Sequence, residues 1–310
     1  MKKLFALVLT LALLALAVCP MAVAESEPKK VAFICKGYAD MFCLSVMEYA
    51  QAHAAEYADV FEIQYFDGES NTETANVLIE NCVTSGFDCI IFQQNDAVAP
   101  VEVVKKAVEQ GVYVIVTTGH IEDDGESFYV DANPYQQGEL AVKYAIDEGY
   151  LKEGTKVAIV RGIDGNWHSD NRVQAFNDYI EQVGAEVCAS EMCNWSKNEA
   201  MTAAQNWCVS VDGLEVILAA CDDMALGVIE AVKTAGLSDQ IKVFSIDGSE
   251  GGIAAVNDGS LMITVQQDAE GYAVQALEIA KKCLTGEADS VENLLLDSWS
   301  ITAENVADFL

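Results

Sequence analysis

The sequence predicts an α/β protein: two doubly wound parallel-sheet lobes joined by hinge strands. Three observations carry that expectation. Short β-branched and aromatic runs recur every 20 to 30 residues within each of two stretches, Val31–Thr118 and Lys156–Gln267. Nearly every gap between them holds one amphipathic stretch long enough for a helix, and strands linked by such crossovers form a parallel sheet covered on both faces. The pattern then begins again near Lys156, and a repeated set of this kind means two similar lobes rather than one long sheet.

The first lobe opens with VAFIC at 31–35, then FEIQYF at 61–66, DCIIFQ at 88–93 and YVIVTT at 113–118, each a run of strand-forming residues. In the first gap Val46, Met47, Ala50, Ala54 and Tyr57 fall on one helical face. Gly86 and Gly111 stand where a left-handed helix C-cap is expected. The join at Asp131-Ala132-Asn133-Pro134 is too short for a flexible tether and reads as a hinge strand. KVAIV at 156–160, EVCAS at 186–190, EVILAA at 215–220, KVFSID at 242–247 and MITVQQ at 262–267 supply the second set, with Gly184 and Gly236 ending helices between them. A last helix is expected from about Asp268 to Leu284, with the tail docking beyond it. A chain that crosses back and forth makes discontinuous lobes, expected as 25–132 with 268–296 and 133–267 with 297–310.

Met1-Lys2-Lys3, the apolar run from Leu4 to Val18 and the small residues of Ala22-Val23-Ala24 read as a signal peptide over residues 1–24. The run is short of the ~20 residues a membrane span needs. Leu16-Ala17-Val18-Cys19 offers lipid anchoring through Cys19 as the rival to plain secretion, and either route places the protein outside the cytoplasm. The net charge of −32 over 310 residues excludes nucleic acid, since binding a phosphate backbone needs basic patches. It argues equally against anionic lipid surfaces. Of ten cysteines, those at 35, 89 and 188 lie in apolar strand-like runs and read as small hydrophobes. Pairing of Cys188 with Cys193 is left open.

In open parallel sheets ligands bind beyond the carboxyl ends of the strands, so two facing sheets should line a cleft. That rule alone selects Lys36 to Phe42, Gln93 to Asp96, Thr117 to His120, Arg161 to His168, Cys221 to Asp223, Asp247 and Gln266-Gln267. No GxSxG, GxxxxGK[ST] or HExxH motif occurs, nor any zinc or EF-hand spacing. A nucleophile pair of Cys221 with His168 or His120 would need proximity that spacing does not establish. What remains is a binding constellation with no catalytic residue and no cofactor. Phe42, Trp167 and Trp195 offer apolar faces, while Arg172, Asp222, Asp247 and Gln267 offer hydrogen bonds. Sugars and polyols present that mixture of CH-rich faces and hydroxyl rims.

ILAACDDMALGVIEAVKTAGL at 217–237, KVFSIDGSEGGIAAVNDGSLMITVQQ at 242–267 and RVQAF at 172–176 resemble segments of the type I periplasmic sugar-binding proteins, the ribose-binding-like group that serves ABC importers. The resemblance runs from about Lys30 to Glu287. It implies that fold and capture of a small neutral sugar or polyol for an ABC permease, acting as a monomer. A nucleoside or furanone ligand, or ligand presentation to a membrane receptor, stands as the alternative. The family's pocket arginine falls on Arg172, its aromatic wall on Trp195, its strand-end aspartate on Asp247 and its hinge glutamine on Gln267. In the first loop Asp40 and Phe42 stand where the family has Asn-Pro-Phe-Phe. The Asp-Arg pair that ends the fourth strand in pentose binders becomes Thr118-Gly119, and an asparagine becomes Cys221. These departures predict weak ribose binding. Asp222, His120 and Trp167 complete the candidate ligand contacts.

Overall fold

A computed structural model describes residues 28–310; the signal-peptide reading of residues 1–24 and Cys19 lie outside the described residues. In chain order the elements are β1 (Lys29–Cys35), α1 (Met41–His53), β2 (Phe61–Asp67), α2 (Thr72–Thr84), β3 (Cys89–Gln93), α3 (Val101–Glu109), β4 (Tyr113–Thr117) and β5 (Phe128–Ala132). There follow α4 (Pro134–Asp147), β6 (Lys156–Arg161), α5 (Trp167–Val183), β7 (Glu186–Met192), α6 (Lys197–Ser210), β8 (Val216–Ala219), α7 (Asp222–Thr234), β9 (Lys242–Asp247), α8 (Glu250–Asn257) and β10 (Ile263–Gln266). The chain ends with α9 (Ala269–Leu284), β11 (Leu294–Leu296) and β12 (Trp299–Thr302).

Two six-stranded sheets result, ordered β11-β5-β4-β3-β1-β2 and β12-β10-β9-β8-β6-β7. Every pairing is parallel except β10 with β12. Successive side chains of a strand face opposite sides of the sheet, and in β1 both sides are core. Val31, Phe33 and Cys35 pack with Val46 and Met47 of α1 and with Tyr272 and Leu277 of α9. Ala32 and Ile34 pack with Ile79 of α2 and Val104 of α3. The second lobe repeats the arrangement. Ala158 and Val160 meet α6 and α7, whereas Val157 and Ile159 meet α4 and α5. That double burial is why these strands read as unbroken apolar runs.

The chain passes between the sheets three times, after Ala132, after Gln266 and after Leu296. Each passage is short, and Asn133 caps α4 directly by accepting from Gln136 N at 3.1 Å. The expected apolar helix over 46–57 is divided: α1 ends at His53 and Ala54–Tyr57 is a 3-10 turn. The full extent of β5 was not visible in the sequence patterning, nor was it visible that the tail, expected to be shared between the lobes, adds one strand to each sheet. Cys188 and Cys193 do not bridge; the Cys188 thiol instead meets Val157 O at 3.2 Å.

Candidate ligand-binding cleft

In each sheet the chain leaves its first strand in one direction and its third in the other, so β1/β3 and β6/β8 are switch points of the kind that open a crevice. The two crevices face each other across a cavity of about 950 Å³. Lys36, Asp40, Phe42, Gln94 and Thr118 line it from the first lobe. Arg172, Trp195, Cys221, Asp247 and Gln267 line it from the other side, with Asn166 and His168 between. Among the described residues no cluster of His, Cys, Asp or Glu is arranged to hold a metal ion.

On the first wall Asp40 caps α1, accepting from Cys43 N at 3.1 Å, while its other oxygen takes the Lys36 ammonium at 2.8 Å. Burial alone would raise the Asp40 carboxyl, but Lys36 and the amide hold it below the usual carboxylate range. Lys36 stays protonated because the pull of Asp40 outweighs burial. Its ammonium also lies 5.3 Å from the ring centre of Trp195, a cation–π contact across the cleft. Phe42 stands edge-on to Tyr272 with ring centres 5.8 Å apart.

On the second wall Asn166 caps α5 by accepting from His168 N and Ser169 N. Arg172, one turn further on, is 2% exposed and fully engaged. Its Nε and one terminal nitrogen donate to Gln137 Oε1 at 3.1 and 2.8 Å, and that nitrogen also reaches His168 Nδ1 at 3.2 Å. The other donates to Ala220 O at 2.7 Å and faces Asp247 at 3.5 Å. Of its five N–H donors, four hydrogen-bond within the protein, and the guanidinium also pairs with Asp247. Arg172 therefore braces the wall rather than offering free donors to the cavity.

Asp247 accepts from Gln267 Nε2 at 2.6 Å and from Asp222 N at 3.4 Å. Burial, reinforced by the neighbouring Asp222 and Asp40 carboxylates and opposed by Arg172, pushes its carboxyl up to about 7. Three cavity residues sit at positive φ without being glycine: Thr118 at 61°, Trp195 at 59° and Asp247 at 135°. Such backbone costs on the order of 1–3 kcal/mol per residue and persists only where the surroundings enforce it. Here it turns strand ends inward.

Three expected contacts lie elsewhere. The Asp222 carboxylate, fully buried and outside the cavity wall, accepts from Thr264 Oγ1 at 2.8 Å, from Ser249 N and Oγ at 2.9 Å, and from Ser245 Oγ. It is already saturated, and it ties β9, β10 and the start of α8 together. His120 and Trp167 meet edge-to-face with ring centres 4.2 Å apart and do not line the cavity. The pairing of Cys221 with a histidine also fails: burial holds that thiol well above its ordinary value, and His168 is taken by Asp131 and Arg172.

The strand-end rule did include Lys36, Gln94 and Asn166, but their residue types gave no reason to prefer them. Asp131 and Gln137 were missed outright. Asp131 Oδ1 accepts from His168 Nε2 at 2.7 Å and from the Tyr272 hydroxyl at 3.0 Å, and Gln137 Nε2 donates to Ser298 Oγ at 3.1 Å. Burial lowers the basicity of His168 more than Asp131 restores it, and a neutral ring donating through Nε2 and accepting at Nδ1 fits both contacts. Burial would raise the Asp131 carboxyl, but His168 and the other donors hold it well below its ordinary value. Near the crossings, one hydrogen-bonded chain thus runs from Tyr272 through Asp131, His168, Arg172 and Gln137 to Ser298.

Two parallel α/β lobes, joined by three chain crossings and lining an aromatic and carboxylate-rich cavity, define a two-lobed solute-binding protein. Residues 31–288 match the family profile described as periplasmic binding protein domain, and the chain belongs to that family. It is 27% identical over 275 residues to the D-ribose/D-allose-binding protein of Pseudomonas aeruginosa, covering 86% of this chain and 85% of that one. To the ribose import binding protein of Escherichia coli it is 26% identical, covering 93% and 94%. An ABC transporter solute-binding protein from Bacillus halodurans, solved with bound myo-inositol, superposes with a TM-score of 0.85 at 25% identity, covering 93% of this chain and 99% of the other.

Proposed function

We propose that the protein is an extracytoplasmic solute-binding protein that captures a small sugar or polyol between its lobes and delivers it to an ABC permease. The observation that carries this reading is the cavity itself, which takes ring faces (Phe42, Trp195) and polar groups (Asp40, Gln94, Asp247, Gln267) from opposite sides. A hydroxylated ring satisfies both lobes at once, so ligand favours the closed arrangement through contacts the open one lacks. The likeness to sugar-binding relatives supports the same ligand class. The closing units are residues 25–132 with 268–296 and 133–267 with 297–310, and export depends on the signal peptide at 1–24 or a lipid on Cys19. Direct ligand contacts are assigned to Asp40, Phe42, Gln94, Trp195, Asp247 and Gln267, with Thr118 and Cys221 shaping the wall. Arg172 acts through Asp247.

A thermal-shift screen of monosaccharides, polyols, nucleosides and amino acids tests the reading. Ligand at a hundredfold excess over Kd stabilises by about 2.7 kcal/mol, and for lobes of this size each kcal/mol raises Tm by roughly 2–4 °C. Sugars or polyols should give the hits, with ribose weak. Hits confined to nucleosides or amino acids would overturn the ligand class.

A further inference from the structure

Seven carboxylates line the cavity against two cations, Lys36 and Arg172. A similar acid surplus runs over the whole chain, so the ratio alone decides nothing. What decides is that both cations are spent. Lys36 is matched by Asp40 at 2.8 Å, and Arg172 gives four hydrogen bonds within the protein and pairs with Asp247 at 3.5 Å. Asp223, in the first turn of α7, lines the same wall. Its one nearby cation, Lys197, lies 3.8 Å from Glu230 and is shared with it.

A second observation is independent of charge. Gln94 is 1% exposed, lines the cavity, and has no protein partner for either end of its amide. It lies over Gly119, where an added Cβ would stand 2.3 Å from Gln94 Nε2. Unpartnered buried amides are costly unless something meets them, and a hydroxyl does so at both ends.

We propose that the cleft prefers a polyol carrying a protonated amine over the same polyol without it, and rejects the corresponding acid. Gln94 and Gln267 meet hydroxyls, Trp195 covers a ring face, and the ammonium pairs with Asp223 and Asp247 on the second wall. A low-dielectric cleft lined by one sign of charge focuses that preference. An anion would find no free cation to receive it. The inference rests on the sugar or polyol reading and narrows it. The raised proton affinity of Asp223, caused first by burial and then by the Asp40 charge, with Lys197 opposing, fits a carboxylate awaiting a cation.

Titration calorimetry with matched ligands tests it: myo-inositol against its monoamino-deoxy counterpart, and glucose against glucosamine and glucuronate. The amine should bind at least tenfold more tightly than its uncharged partner in one series, with no heat from glucuronate. Asp223→Asn should cut that ratio below threefold while the urea unfolding midpoint shows the fold intact. An uncharged ligand that binds as tightly as its amine, a bound glucuronate, or a ratio untouched by Asp223→Asn would overturn the inference and leave the sugar reading standing. Silence from every member of both series would overturn both.

Discussion

The two walls of the cleft come from lobes of the same architecture but are finished differently. On the second wall the charged groups are braced before any ligand arrives, and only Gln267 Oε1, Gln266 Oε1 and Trp195 Nε1 among the buried polar atoms lining the cavity there stay without a partner. Arg172 is held by Gln137 and Ala220, Asp247 by Gln267, and the helix behind them by the saturated Asp222. On the first wall the Lys36–Asp40 pair is closed on itself, but Gln94 has neither end satisfied. The difference teaches that preorganisation is unevenly divided. A ligand meeting the second wall finds geometry already fixed, which lowers the ordering cost of binding. The first wall offers an amide with both ends unmet, which closure on a ligand can satisfy.

The comparison breaks most visibly at Arg172. Arg172→Ala removes one member of a buried charged network and strands Asp247 and Gln137, which typically costs about 3–5 kcal/mol. Urea unfolding should record a loss of that order; a variant as stable as the parent would show the second wall to be less braced than its contacts imply. Next comes Asp247→Ala. Hydrogen bonds to a charged group contribute about 1.5–3 kcal/mol, so affinity for the best ligand of the thermal-shift screen should fall roughly 10- to 150-fold by calorimetry. Retained affinity would move the site off this carboxylate. Gln94→Ala sharpens the contrast from the other side, because its amide has no protein partner to lose. Affinity should fall by roughly 2- to 12-fold, the range of a neutral hydrogen bond, with the unfolding midpoint nearly unchanged. A large loss of stability there would mean that the first wall too is built in advance.

The mildest effect is a pH signature. The Asp247 carboxyl is raised in the folded state, from the ordinary 3.8 to about 7, so its stabilising contribution is complete below about pH 4 and fades as pH climbs through 7. Asp131 is lowered and works in the opposite sense, contributing above pH 4 and losing that as acid is added. His168, also lowered, contributes above about pH 6.5 and less below. Asp247→Asn should therefore gain on the parent protein steadily between pH 4 and 7 in unfolding midpoints. Parallel curves over that window would remove the assigned shift.

Most of the fold was legible because strands buried on both faces are written as unbroken apolar runs, as in VAFIC and KVAIV. The full extent of β5 was not, since FYVDA carries a charge at its fourth position, and that charge, Asp131, is satisfied by His168 and Tyr272 from far along the chain. The site was legible as strand ends, a consequence of topology. Which strand-end side chains face the cavity was less so. Asp222 and Asp247 are both acids at strand ends, yet one is saturated by three hydroxyls and an amide and the other is turned inward on strained backbone. Local sequence carries no sign of either partner set.

The position of α9 has a consequence for the order in which the chain can acquire its structure. Tyr272, Ala276, Leu277 and Ala280 belong to the same core as Val31 and Phe33, and β11 edges the sheet that β1 helps to found. A chain emerging from its N-terminal end thus cannot complete its first lobe until residues near 296 have followed. The second lobe lacks only β12 by the time β10 is made. Contacts so distant along the chain slow folding, so the N-terminal half of the protein stays incomplete longest.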